Sequence, residues 1–232
     1  MPRSILLAGF CLVLATAASG PERTPVLVEL FTSEGCSSCP PADATLALLD
    51  NRAIVLSEHV DYWDRLGWRD RFSSEAFTQR QEAYAKNFGL DSPYTPQMVV
   101  DGAVQFNGSD RQRAAEAIEK SAAGQKASVI VDRSGSGVHV AVEGSAHDGD
   151  VYLALADDAA TTDVRNGENK GRTLRHVAVV RSLRKIGSVR KAKSFSKDVD
   201  LAVADNQRIV VFVQEAGQSH VLGAGMIPAV SN

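Results

Sequence analysis

Two cysteines flank a pair of serines at Cys36-Ser37-Ser38-Cys39. The chemistry open to such a pair is thiol–disulfide exchange, in which a thiolate attacks a disulfide sulfur and a second thiol resolves the mixed disulfide. Pro40-Pro41-Ala42-Asp43 follows and opens a helix carrying Leu46, Leu48 and Leu49. Proline is tolerated in a first helical turn, where its missing N–H has no partner to lose. A helix N-terminus carries partial positive charge and unpaired N–H groups, and both stabilise a thiolate. Cys36, the outer residue, is the expected attacking thiolate, and Cys39 the resolving thiol. Pro40 leaves two starting points for the helix, Cys36 or Ser38, and the later start places Cys36 farther from the dipole.

The elements that must position this motif follow from apolar patterning. Residues 26–31 read as a buried strand interrupted by one carboxylate, Glu29, and residues 32–35 as the loop leading into the cysteines. Residues 53–60 form a second strand. A helix is expected over 74–88, with Phe77, Tyr84 and Phe88 on one face and Gly89 as its C-terminal cap. Tyr94-Thr95-Pro96 leads into the strand 97–100, and Asp101-Gly102 signals a hairpin returning along 103–106. Ser109 and Gln112 make a capping box for a helix ending at Gly124. From Gln125 the periodicity changes to short strands separated by turn residues, at 127–131, 138–142, 151–156, 173–180, 208–214 and 221–227, with a polar loop over 157–172.

The order strand, Cys-x-x-Cys, helix, strand, helix, X-Pro, hairpin, helix resembles the thioredoxin fold over roughly residues 25–123. The expected fold class is thus an α/β thioredoxin-like domain (22–124) followed by a β-rich sandwich-like domain (125–232). The resemblance implies a cis bond at Thr95-Pro96 facing the motif, with the Thr95 backbone pairing with an extended substrate chain. Trp63 and Tyr94 join Thr95 as expected substrate-binding residues, with Tyr62 and Trp68 read as packing or as an aromatic rim. It also implies a buried acid that relays a proton to the inner thiol, and Glu29 stands near that place. A carboxylate buried without a partner has a raised pKa and suits the role; a salt-bridged structural Glu is the equal alternative. The expected catalytic set is therefore Cys36, Cys39, Pro96 and Glu29.

The run from Val28 to Asp43, together with His59-Val60-Asp61-Tyr62-Trp63-Asp64, Trp68-Arg69-Asp70, Tyr94-Thr95-Pro96-Gln97 and Gly167-Glu168-Asn169, is similar to the signature of a secreted bacterial thioredoxin-like family, domain of unknown function 1223. That family brings no settled activity with it.

Compartment is read from the first nineteen residues. Arg3, an apolar run over 5–14 and the small residues Ala15-Thr16-Ala17-Ala18-Ser19 make a signal peptide, too short to span a bilayer. Its removal takes Cys11 away and leaves Cys36 and Cys39 as the two mature cysteines, which an oxidising compartment favours pairing. A periplasmic or secreted protein that does not span the membrane is expected. The 232 residues carry a formal net charge of -3, which excludes an electrostatic nucleic-acid binder.

No soluble cofactor is expected. His59 beside the two thiolates is the one soft-metal arrangement, but structural zinc sites use four ligands and recognisable second pairs, so no metal is assigned. His139, His147, His176 and His220 read as scattered, and the basic stretch over 181–193 as a solvated face. The loop Asn166-Gly167-Glu168-Asn169-Lys170-Gly171-Arg172 lacks the Gly-Lys-Ser/Thr ending of a phosphate-binding loop; it either folds over the redox cleft, joins the two domains or lies solvated. The functional expectation is a thiol–disulfide oxidoreductase acting on protein thiols or disulfides, with a membrane redox partner as a further candidate. The alternatives are a binding module with a structural disulfide and a copper or zinc carrier.

Overall fold

The computed structural model describes residues 24–230; the signal-peptide assignment and Cys11 lie outside them. The first strand, β1 (Leu27–Thr32), is buried along its whole length. It pairs in parallel with β2 (Ile54–His59) and antiparallel with β3 (Gln97–Val100). Helix α1 (Pro40–Leu49) connects β1 to β2, and α2 (Glu75–Asn87) connects β2 to β3. Ser74 caps α2 by accepting from the Ala76 N–H, and Gly89 ends it in the left-handed region at φ +65°. The β3 to β4 (Val104–Asn107) hairpin turns at Asp101 and Gly102, both with positive φ, as a tight two-residue turn requires. Helix α3 (Arg111–Ala122) follows, capped by Asp110 rather than by Ser109.

Beyond α3 the chain forms β5 (Ser128–Ser134), β6 (Gly137–Glu143), β7 (Gly149–Asp163), β8 (Thr173–Val189), β9 (Phe195–Asp200), β10 (Gln207–Gln214) and β11 (Val221–Ile227). Here the expected fold class is corrected. The chain does not form a thioredoxin-like domain followed by a separate sandwich. Eight strands join in one mixed sheet, in the order β11-β10-β7-β8-β2-β1-β3-β4, and β5-β6-β9 form a second, three-stranded sheet. The joint is the parallel pairing of β8 with β2 at Ser57 and Val179. Patterning along the chain reports strand type and facing, but not which distant strand completes an open edge, so β2 could not be matched to β8. The polar loop also proved shorter than expected. Residues 157–163 continue β7, where they pair with 173–179 of β8 on a long two-stranded ribbon.

The two faces of the large sheet carry different cores. Val28, Leu30, Val55, Met98 and Ala178 pack against α1 and α3 through Ala42, Leu46, Ala114 and Ile118. Farther along that face, Val151, Leu153, Ile209 and Val211 pack against Val138, Val140 and Val142 of the small sheet. The other face is covered by α2, where Phe77 meets Leu27, Leu56, Val210 and Phe212.

Set into this second face is a buried polar network around Arg80 of α2. Its Nε donates to Glu29 Oε1 at 2.7 Å, and its Nη2 donates to Gln214 Oε1 at 3.0 Å and Tyr84 Oη at 3.2 Å. Tyr84 donates to Glu29 Oε2 at 2.6 Å, and Glu58 Oε2 lies 3.5 Å from Arg80 Nε. Burial pushes Glu58 well above the usual carboxylate range; Arg80 opposes this and the adjacent Glu29 adds to it. One guanidinium thus serves β1, β2 and β10 at once. Removing one partner of a buried pair leaves an uncompensated charge, at a cost of about 3–5 kcal/mol. Arg80→Met is expected to lower the free energy of urea unfolding by about that amount, while an exposed control, Arg111→Met, leaves it within about 0.5 kcal/mol.

Candidate functional site: a buried disulfide over an acid–base cluster

Cys36 and Cys39 form a disulfide with a Cα–Cα distance of 5.4 Å. It lies where β1 ends and α1 begins. Helix α1 starts at Pro40 with Cys39 as its N-cap residue, later than either starting point considered from the sequence. The Cys39 carbonyl accepts from the N–H groups of Ala42 (2.8 Å) and Asp43 (3.1 Å), and the Cys39 N–H donates to the Cys36 carbonyl. Cys36 therefore sits one turn before the helix. Both cysteines are fully buried, whereas Ser37 and Ser38 between them are exposed.

The Thr95–Pro96 bond is cis. Pro96 and Ala42 lie on either side of Gly108, where an added Cβ would fall 3.6 Å and 3.0 Å from their Cβ atoms and 2.7 Å from Leu30 Cδ1. The glycine is thus needed for close packing at that point. Trp63 donates through Nε1 to Thr95 Oγ1 at 2.8 Å, and its Cβ lies against Gly35, so it links the loop before the cysteines to the cis-proline turn. Tyr94 instead turns its hydroxyl to Gln105 at 2.6 Å. Glu29 takes its hydrogen bonds from Arg80 and Tyr84 on the α2 face of the sheet. Its neighbours Val28 and Leu30 face α1. Strand alternation therefore turns Glu29 away from the helix that follows the cysteines.

Beneath the cysteine loop is a second polar cluster. Glu34 is fully buried, and its Oε2 accepts from Trp68 Nε1 at 2.8 Å. Asp70 Oδ2 accepts from the Glu34 N–H at 2.8 Å and from His59 Nδ1 at 2.7 Å, and its Oδ1 from the Phe72 N–H. Burial opposes ionisation of Asp70, but His59 and these N–H groups outweigh it and hold the carboxyl below its ordinary range. Thr32 Oγ1 donates to Asp43 Oδ1 at 2.9 Å. His176 of β8 lies between the two acids, with Nε2 3.7 Å from Glu34 Oε1 and Nδ1 3.7 Å from Asp43 Oδ2. Its ring meets that of His59 edge-on at 4.8 Å.

Burial alone would drive His176 neutral. Asp43 and Glu34, facing both ring nitrogens, overcome this and raise its pKa to about 9. The cationic ring in turn helps hold Glu34 below the usual carboxylate range, against the effect of burial. His59, the residue considered beside the thiolates as a soft-metal ligand, is engaged by Asp70. Among the described residues no group of three or more His, Cys, Asp or Glu is arranged to hold a metal ion.

The third contributor is the loop joining β7 to β8. Asn169, fully buried, donates through Nδ2 to the carbonyls of Glu34 and Cys36, both at 2.9 Å. Glu168 Oε2 accepts from the Ser37 N–H at 3.1 Å. Of the readings open for this loop, the structure selects the one that folds it over the cysteines. Sequence reasoning missed His176, Asp43, Asp70 and Asn169 as parts of the site. His176 carried a usable signal, since Leu174, His176 and Ala178 alternate on one strand and all three are buried.

A group whose folded pKa is raised contributes its full stability below its unfolded pKa and loses it as pH rises through the folded value. For His176 that window runs from 6.5 to about 9, and the shift corresponds to on the order of 3 kcal/mol. The thermal midpoint is expected to fall across this window, and His176→Gln to remove most of that pH dependence. An unchanged slope in the variant would refute the assignment of the proton to His176.

A search of curated proteins found no match. Among solved structures, the chain is similar to a protein from Agrobacterium tumefaciens determined by X-ray crystallography, with a TM-score of 0.79 and 26% identity over 92% of this chain and 98% of that one. The chain also shares its fold, at 16% identity and a TM-score of 0.57, with HBP35 of Porphyromonas gingivalis, over 91% of this chain and 77% of that one. The model of a family described as protein of unknown function (DUF1223) matches residues 27–214, and the chain belongs to that family.

Proposed function

We propose that this chain is a thiol–disulfide exchange protein of the periplasm or the secreted space, acting on protein thiols or disulfides without a soluble cofactor. The observation that carries the reading is the Cys36–Cys39 disulfide at the entry to α1. There the positive end of the α1 dipole, with Cys39 at the N-cap, favours a thiolate on reduction. The signal-peptide pattern over residues 1–19 supports the compartment, and no helix among the described residues is long and apolar enough to cross a membrane.

In the exchange step a substrate thiolate attacks Cys36 Sγ, the bond to Cys39 Sγ breaks, and Cys39 leaves as a thiolate. A second substrate thiolate then attacks the mixed disulfide and releases Cys36. Two electrons pass from the substrate dithiol to the protein, and the reverse sequence oxidises a substrate. Trp63 and Thr95, joined beside Gly35, are the proposed docking edge for the substrate chain, with Tyr94 at its margin. A membrane redox protein is the proposed partner that resets the pair.

A second reading has its own support: the full burial of both sulfur-bearing residues suits a structural clip that closes the loop before α1. Equilibration with defined glutathione buffers separates the two. Exchange predicts a reversible midpoint between oxidised and reduced forms, and a Cys39→Ala variant whose Cys36 thiolate attacks a disulfide-bonded peptide and keeps it as a mixed disulfide, releasing the peptide's other sulfur as a thiolate. A pair that stays oxidised until the protein unfolds, with no captured peptide, would leave only the clip.

A further inference from the structure

The β7–β8 hairpin is the longest among the described residues, and its tip, residues 164–172, rests on the loop that carries the cysteines. The tip is closed on itself. Val164 N–H donates to the Arg172 carbonyl, Gly171 N–H to the Val164 carbonyl, and Lys170 N–H to the Gly167 carbonyl. It reaches the motif through polar groups. Asn169 supplies both donors of its amide to the carbonyls of Glu34 and Cys36, and its Oδ1 accepts from Arg172 Nη1 at 2.9 Å. That set leaves the amide one orientation that satisfies every partner. Glu168 adds the contact to the Ser37 N–H, and Gly167 lies so close to Trp68 that a Cβ would fall 3.0 Å from the indole-bearing carbon. Val164 is the tip's single apolar side chain; it is buried, but it belongs to none of the four hydrophobic clusters.

A disulfide reacts by attack along its S–S axis, so an exchange partner needs a path to a sulfur. Both cysteines are fully buried. A cover held by a few side chain to backbone hydrogen bonds and one small buried apolar side chain, outside the main hydrophobic clusters, is the kind of segment that opens locally without global unfolding.

We infer that the β7–β8 tip is a latch over the Cys36–Cys39 disulfide, with Asn169 as the positioning residue that holds it shut, so that exchange proceeds only from a latch-open form. The purpose of the latch rests on the exchange reading above, but its test does not. Gly167 and Gly171, with φ of +75° and +81°, flank Glu168 and Asn169 and supply backbone freedom where the tip would bend. The surface that the closed form leaves open is Ser37-Ser38, so a partner meets these serines first and the sulfurs only after the tip has lifted.

The test is the rate of disulfide reduction in the folded full chain by dithiothreitol and by a phosphine, read by thiol labelling and mass. With the wild type, the rate is expected to level off as reductant rises, at a value shared by both reagents and at least tenfold above the global unfolding rate. Asn169→Ala is expected to raise the rate at sub-saturating reductant by tenfold or more, and the exposed Glu168→Ala by about threefold. The wild-type concentration series and Glu168→Ala keep the test intact if Asn169→Ala does not fold. A rate linear in reductant and as fast as that of a small peptide disulfide would overturn the latch, as would a plateau equal to the unfolding rate. A latch that behaves as expected in a protein that never exchanges with dithiol peptides would refute the exchange reading while leaving the latch standing.

Discussion

A guanidinium cannot be buried without anions to balance it, and Arg80 is buried with two carboxylates, a phenol and an amide around it. Charge balance in a medium of low polarity therefore dictates where four elements must lie. Glu29 comes from β1, Glu58 from β2, Tyr84 from the same helix as Arg80, and Gln214 from β10. Gln214 is 134 residues from Arg80 along the chain, yet it must arrive for Nη2 to make its second hydrogen bond beside that to Tyr84. The network thus ties the two halves of the chain into one sheet, beside the apolar contacts of Leu27, Leu56, Val210 and Phe212 that cover the same face.

Sheet continuity is what creates the site. Once β8 lies in parallel beside β2, His176 enters the space under the cysteine loop, and the β7–β8 tip reaches over it. Neither half alone provides this arrangement. The N-terminal half supplies two cysteines and the acids Glu34 and Asp43; the C-terminal half supplies the cation between those acids and the amide that pins the Cys36 carbonyl. The imidazolium does for this cluster what Arg80 does for the other. In both, burial of like charges is made tolerable by one cation placed between them.

The two faces of β1 separate these systems. Alternation sends Glu29 toward α2 and Arg80, while Thr32 bonds Asp43 on α1. The acid expected near the resolving thiol is consequently committed to a structural pair on the other side of the sheet. Asp43, four residues after Cys39 on the same helix, is the carboxylate that shares the cysteines' side. A one-residue difference in spacing along a strand exchanges faces, which is why a buried acid before the motif was legible and its partner was not.

Local features were legible because they depend on near neighbours. The strands and helices around the motif, the Asp101-Gly102 turn and the Gly89 helix end follow from period and steric preference, and the disulfide pairing was expected from the two cysteines that remain once the signal-peptide segment is set aside. The cis bond at Thr95-Pro96 was expected from a family resemblance, and membership of DUF1223 was recognised from short polar and cysteine motifs. What the sequence by itself determined, then, was the kind of element at each place, the cysteine pair and the family. The tertiary structure alone decided that β7, β8, β10 and β11 complete the N-terminal sheet, that Glu29 pairs with Arg80, and that His176 and Asn169 belong to the cysteine site. Hydrophobic period tells a strand which face to bury but not which partner to choose. Buried charges and unpaired carbonyls are satisfied by whatever group the completed sheet brings within reach, however far along the chain it lies.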